Sequence, residues 1–182
     1  MTEVGTVYGE SLYELAKDEG LAQSIGDQLN VMQQCFRQEP DFVRLLSSPN
    51  LTKTERCQIL DDSFRGKVHP YLLNFLKILT EKGYVRHFSD CCKSYTQLYN
   101  LDNGILPVTA VTAVTAVELS AAQADKLTDK LSRITGKKIE LCNRVDPACL
   151  GGVRLDYDGI RMDDTVSHRM ESLRELLNTT VL

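Results

Sequence analysis

No run of apolar residues in this chain approaches the ~20 needed to cross a bilayer, so insertion into a membrane is not expected. The opening residues, MTEVGTVYGE, lack the basic and apolar regions of a signal peptide and are too acidic for a transit peptide. These absences set the expectation of an intracellular protein. Charge of one sign is also missing. The chain holds 25 acidic and 21 basic residues, a net charge of −4, and neither half is basic. A phosphate-backbone footprint is therefore not expected, and nucleic acid is excluded as a partner. Among the six cysteines, Cys35, Cys57, Cys91, Cys92, Cys142 and Cys149, no CxxC pair exists, and the three histidines lie far from them in sequence. The expectation is reduced, buried or half-buried thiols and no metal site. No phosphate-binding loop is present. Thr135-Gly136-Lys137-Lys138 lacks the upstream glycine and the hydroxyl, and reads as a helix stop with solvated lysines. Gly151-Gly152 is not GxGxxG and points to close backbone approach or a bulge beside a strand. No cofactor is expected.

What is there is pattern. In the first half, Val4, Tyr8, Leu12 and Leu15 form the stripe of a helix near Glu3–Asp18, stopped by Gly20. Ile25, Leu29, Met32 and Phe36 recur at helical spacing over about Leu21–Arg37. A short helix, about Asp41–Leu46, ends before Ser48-Pro49. Thr52-Lys53-Thr54-Glu55 is a capping-box pattern that opens a fourth helix with Cys57, Leu60 and Phe64 as its stripe. Pro70 suits the first turn of a fifth helix that runs to Lys82 and stops at Gly83. This helix is apolar nearly all round, which implies contact on more than one face: either it is central, or one face awaits a partner. A sixth helix, about Tyr84–Leu101, carries Val85, Phe88, Cys92, Tyr95 and Tyr99, and at least one of Cys91 and Cys92 should face the core.

Asn100-Leu101-Asp102-Asn103-Gly104 is rich in turn formers and marks a domain boundary. Beyond it lies a threefold Val-Thr-Ala run, whose β-branched content predicts one long strand although its period of three fits neither helix nor strand. Ser120-Ala121-Ala122-Gln123 opens a helix with Ala124, Leu127, Leu131 and Ile134, stopped by Gly136. Ile139, Leu141 and Val145 alternate as a strand that would pair with the first in parallel through a right-handed crossover. Val153, Leu155 and Tyr157 alternate again, Asp158-Gly159 is a hairpin turn, and Ile160 and Met162 resume. Asp163-Asp164-Thr165 can cap a last helix with Val166, Met170, Leu173 and Leu177 at helical spacing. The fold expected is α + α/β: a bundle of about six helices over 1–104, then a small β-α-β-β-α domain over 105–182.

The second half resembles the C-terminal signature of the delta subunit of F-type ATP synthases, the bacterial counterpart of the mitochondrial oligomycin-sensitivity-conferring protein. The residues that carry the resemblance are Asp146, Leu150, Gly151, Gly152, Val153, Leu155, Gly159, Met162, Asp163, Thr165, Val166, Arg169 and Met170. It departs from the family at Asp164, where glycine is frequent, at Thr165 for serine, and at Ser167 for an arginine. In the first half, Tyr8, Ser11, Leu12 and Ala16, Leu46-Ser47-Ser48-Pro49, and Asn74-Phe75-Leu76 with Leu79 resemble looser family motifs, with Tyr84 where arginine is common.

The resemblance implies a non-catalytic stator subunit without cofactor or metal, one copy within a hetero-oligomeric complex at the cytoplasmic face of the cell membrane. It implies that the bundle grips the N-terminal helix of the alpha subunits between the first and fifth helices, through Tyr8, Leu12 and Leu15 on one side and Leu72, Leu76, Leu79 and Tyr84 on the other. It implies that the second domain holds the b subunits of the peripheral stalk, with Val153, Leu155, Arg169, Leu173, Leu176 and Leu177 as the contact residues. Two other readings stand beside it. One is a helical adaptor unrelated to ATP synthase. The other is a small cysteine-dependent enzyme using Cys149 with His168, oriented by Asp163 or Asp164. Capping is the simpler role for those aspartates.

Overall fold

The computed structural model describes residues 2–48, 50–113, 121–146, 152–157, 159–166 and 168–170. The chain divides into two compact units, Met1–Tyr99 and Asn100–Leu182.

The first unit is built from α1 (Glu3–Asp18), α2 (Ala22–Gln38), α3 (Pro40–Leu46), α4 (Lys53–Phe64), α5 (Pro70–Lys82), a 3-10 turn (Val85–His87) and α6 (Phe88–Asp102), whose last turn crosses the boundary. Local chemistry fixes several ends. The Thr52 hydroxyl accepts from the Glu55 N–H while the Glu55 carboxylate accepts from the Thr52 N–H, so two orphan donors at the start of α4 are satisfied reciprocally. At the start of α5, His69 Nδ1 accepts from the Tyr71 N–H, and Pro70 occupies a position that needs no donor. Gly83, at φ +76°, ends α5 in the left-handed conformation.

Packing follows the expected stripe in α2, where Ile25, Leu29, Met32 and Phe36 are all buried. Phe36 meets Phe42, Phe64 and Phe88, ring centroids 5.9, 6.5 and 4.9 Å away, and so ties α2 to α3, α4 and α6. The stripe of α1 is rotated from the expected one. Its buried face is Gly5, Gly9, Leu12, Tyr13 and Ala16, and Leu15 is 42% exposed. The reason lies in the two glycines. A Cβ on Gly9 would stand 2.6 Å from the Cys91 carbonyl oxygen and 2.7 Å from Ser94 Cβ, and one on Gly5 would meet Asp90 Cβ at 2.5 Å. Only residues without side chains allow α1 to lie this close to α6. The approach is stitched by Thr2, whose N–H and hydroxyl both donate to Asp90 Oδ2 (3.1 and 3.0 Å), and by the Ser94 hydroxyl, which donates to the Thr6 carbonyl. α5 is central: Leu72, Leu73, Phe75, Leu76, Leu79 and Thr80 are buried, and Ile78 is left outside.

The second unit is a four-stranded sheet with one described α-helix, α7 (Ala121–Thr135). Its strands are β1 (Ile105–Ala113), β2 (Lys138–Asp146), β3 (Val153–Tyr157) and β4 (Ile160–Asp163), in the order β2-β1-β3-β4. The sheet has one strand more than the β-α-β-β-α pattern counts, because Gly159 (φ +76°) folds β3 and β4 into a hairpin of separate strands. β1 pairs with β2 in parallel over its whole length and with β3 antiparallel over Thr109–Thr112. That central position explains the period of three. Ala110, Val111 and Thr112 are consecutive and all buried, so both faces of the strand are covered and no alternation is required. Pro107 falls where β1 has β2 alone as a neighbour, a place that tolerates a missing N–H. Leu106, Val108, Leu131 and Ile139 form the core, with Leu127, Leu141, Leu155 and Tyr157 packed on it. Ile134, expected on the inner stripe of α7, is 80% exposed. After β4, Thr165 caps a helical turn through Val166 and His168–Met170. Its hydroxyl accepts from the His168 N–H, and Asp163 Oδ1 accepts from both the N–H and the hydroxyl of Thr165. Gly152, at φ +88°, has no room for a side chain beside Asp164 and Thr165, so this glycine serves close backbone approach.

Candidate partner surfaces

The residues expected in a groove between α1 and α5 separate into two groups. Tyr8 and Tyr84 come together edge to face, with ring centroids 6.0 Å apart, and both are half-buried. Leu15 is on the surface. Leu12, Leu72, Leu76 and Leu79 are only 4, 0, 2 and 0% exposed. As direct anchors for a partner these four are corrected to bundle core: the central α5 spends its leucines on its own neighbours. The surface instead offers Val7 (55% exposed) and Ile78 (46%), which sequence reasoning missed because neither falls on an inward stripe. Val7, Ser11 and Leu15 are spaced by four and share the outward face of α1.

In the second unit, Val153 and Leu155 line an open groove of about 690 Å³ between α7 and the β3–β4 hairpin. Leu127 and Met162 share its lining, and its rim is of mixed charge, with Lys126, Lys130 and Arg133 of α7 beside Asp129 and Asp164. None of these companions was expected from sequence. Lys126, Lys130 and Arg133 recur at helical spacing, which was the available signal. Arg169 is exposed and donates from Nε and Nη2 to Asp164 Oδ1 at 2.8 and 2.6 Å. Leu173, Leu176 and Leu177 lie outside the described residues.

The cysteine-enzyme reading finds little support. Burial pushes the Cys91 thiol up to about 11 and Cys92 up to about 12, away from the reactive thiolate. Burial and the neighbouring Glu81 raise Cys57 as well. Asp163, the proposed orienter, is engaged by Thr165, whose hydrogen bonds hold its carboxyl below the usual range, and Asp164 is engaged by Arg169. Cys149 lies outside the described residues. Among the described residues, no group of three or more His, Cys, Asp and Glu could hold a metal ion, and no helix is long and apolar enough to cross a membrane.

The chain is thus a helical bundle followed by a mixed α/β unit, and each leaves apolar side chains at the surface. The family model described as "ATP synthase delta (OSCP) subunit" matches residues 4–177, and the chain belongs to that family. It is 34% identical over 171 residues to the ATP synthase subunit delta of Alkaliphilus oremlandii, covering 94% of this chain and 93% of the relative. It is 34% identical over 173 residues to that of Gloeobacter violaceus, covering 94% and 92%. Among solved structures, it superposes with a TM-score of 0.74 on a chain in the cryo-EM structure of the Toxoplasma gondii mitochondrial ATP synthase hexamer, at 18% identity and with 97% and 98% of the two chains covered, which shows a shared fold. Membership of the family displaces the reading as an adaptor unrelated to ATP synthase.

Proposed function

We propose that this chain is the non-catalytic stator subunit of a rotary F-type ATP synthase and joins the catalytic head to the peripheral stalk. The observation that carries the proposal is that one family match runs through both units, residues 4–177. In this reading residues 1–104 bind the N-terminal helices of the alpha subunits and residues 105–182 bind the b subunits. One copy works within the complex, peripheral to the cytoplasmic face of the cell membrane. The task is static. A joint that holds at both ends resists rotor torque, so rotation drives catalysis and does not spin the head. No side chain of this chain takes part in the chemistry.

The outward face of α1, with Val7 and Leu15, and the adjoining Tyr8–Tyr84 pair fit an amphipathic helix laid into a shallow groove. The groove lined by Val153, Leu155 and Met162, with cations and carboxylates on its rim, fits a second amphipathic helix with an apolar face and mixed-charge flanks. Calorimetric titration of the full chain with a peptide of the alpha subunit's first ~20 residues should give saturable, near one-to-one binding with a negative heat-capacity change. Absence of binding to well-folded protein would overturn the head-binding assignment.

A further inference from the structure

We propose that β2 is a self-recognition edge, through which two copies of the free chain pair antiparallel about a twofold axis at Cys142. Among the described residues, β2 is the outer strand of its sheet on that side. It is nine residues long and pairs without interruption to β1, so its outer edge is an unbroken template. Lys138, Glu140, Cys142 and Arg144 are exposed on one face, and the series ends at Asp146. Charges on an edge strand ordinarily keep other strands away. Here the order is plus, minus, thiol, plus, minus. Parallel in-register stacking would set like on like at every charged position. An antiparallel copy centred on Cys142 instead sets Lys138 opposite Asp146 of the second copy and Glu140 opposite Arg144, and each pair occurs twice. On the other face it brings Ile139 opposite Val145, which is 41% exposed in the single chain.

The hydrogen-bond phase agrees with this register. The Lys138 N–H donates to the Gly104 carbonyl at 2.9 Å, on the β1 side. With a period of two, the polar backbone groups of Glu140, Cys142 and Arg144 also face β1, and those of Ile139, Leu141, Asn143 and Val145 face outward. The outward groups are the ones a second β2 would use. Cys142 then falls at a non-hydrogen-bonded pair, where facing Cα atoms lie about 4.5 Å apart and side chains are closest. That spacing is within the range of about 4.4–6.8 Å that a disulfide bridges. With oxidised glutathione as oxidant, the two Cys142 thiols lose two protons and two electrons, one S–S bond forms between the copies, and two molecules of reduced glutathione leave. The interface is isologous and closed, so it yields a dimer and not a fibre.

Sedimentation of the full chain without oxidant, and peptide mapping after oxidised glutathione, test the proposal. The expected result is a concentration-dependent dimer and a Cys142–Cys142 cross-link between copies. Glu140→Lys reverses two pairs at once and should weaken the dimer about ten-fold or more. Arg144→Glu should do the same, and the double variant should restore pairing. Because both side chains are exposed, each variant should keep its fold. A chain that stays monomeric, a dimer cross-linked only through Cys35 or Cys57, or a double variant no better than its parents would overturn the proposal.

Discussion

Among the described residues, the two units show cores of unequal extent. The bundle draws aliphatic and aromatic side chains from all six helices into one cluster, with α5 at its centre and the Phe36–Phe42–Phe64–Phe88 group at one end. The α/β unit, among the described residues, buries Leu106, Val108, Leu131 and Ile139 and leaves an open groove beside them. In the bundle, Val7, Leu15 and Ile78 of the proposed surface lie outside the core and only Tyr8 and Tyr84 also pack on it, so binding can be altered largely apart from stability. In the α/β unit surface and core overlap, because Leu155 packs on the core and also lines the groove.

The sharpest way to break this comparison is a charge in the centre of the bundle. Leu76→Asp places an unpaired carboxylate at a site 2% exposed and should unfold the bundle outright, seen as loss of its helical circular dichroism. Leu79→Ala should cost about 2–5 kcal/mol in urea unfolding, and Leu131→Ala, at a site 8% exposed where Leu79 is fully buried, should fall at the low end of that range. Equal costs would remove the distinction. Gly9→Ala should cost about 1–3 kcal/mol, because the added methyl meets the Cys91 carbonyl, part of a backbone that cannot swing away. A stabilised variant would mean that α1 and α6 can separate without loss. Smaller again are the two caps: Thr52→Ala and Thr165→Ala should each lose about 1 kcal/mol, the first from the bundle and the second from the α/β unit. Different transitions for the two variants would show that the units unfold independently.

The smallest effect is on pH dependence. The Thr2 hydroxyl and N–H hold the Asp90 carboxyl below its usual range. The unfolded chain therefore takes up this proton at higher pH than the folded one. The stabilisation is complete above the unfolded pKa of about 3.9 and is lost as pH falls through the lower, folded value. Asp90→Asn should thus lower the urea midpoint at pH 7 and leave it close to the parent's once both are fully acidified. A constant gap at every pH would exclude this cause.

Much of the fold was legible in the sequence where one residue type has one meaning. Thr52 and Glu55 announce a capping box, Pro70 and Gly83 bracket α5, and the α2 stripe is simple periodicity. Asp163-Asp164-Thr165 announces the cap that Thr165 makes. What failed to read through depended on tertiary partners. The inward face of α1 runs through Gly5 and Gly9, and glycine gives no apolar signal, so the stripe was assigned one position off and took in Leu15. The all-round apolarity of α5 left open whether it was central or exposed, and only packing decides that Leu72, Leu76 and Leu79 are spent inside. For the surfaces, the sequence pointed to Tyr8, Tyr84, Val153 and Leu155 and not to Val7, Ile78 or the charged residues of α7, since exposure is a property of the fold and not of the residue.

The glycine seam between α1 and α6 has a mechanical consequence. Where helices meet through long side chains, a sideways pull is first taken up by rotamers, and the joint yields before it resists. Where backbone lies on backbone, as at Gly5 and Gly9, little soft material is left to deform. A pull along α1 is a shear of one rigid rod against another, opposed along the row by Asp90 and Ser94, and the helices cannot be peeled apart one contact at a time. Such a seam has low compliance. A stator built on it returns each rotor step as stress with little lag, and a single added methyl group there would soften the spring.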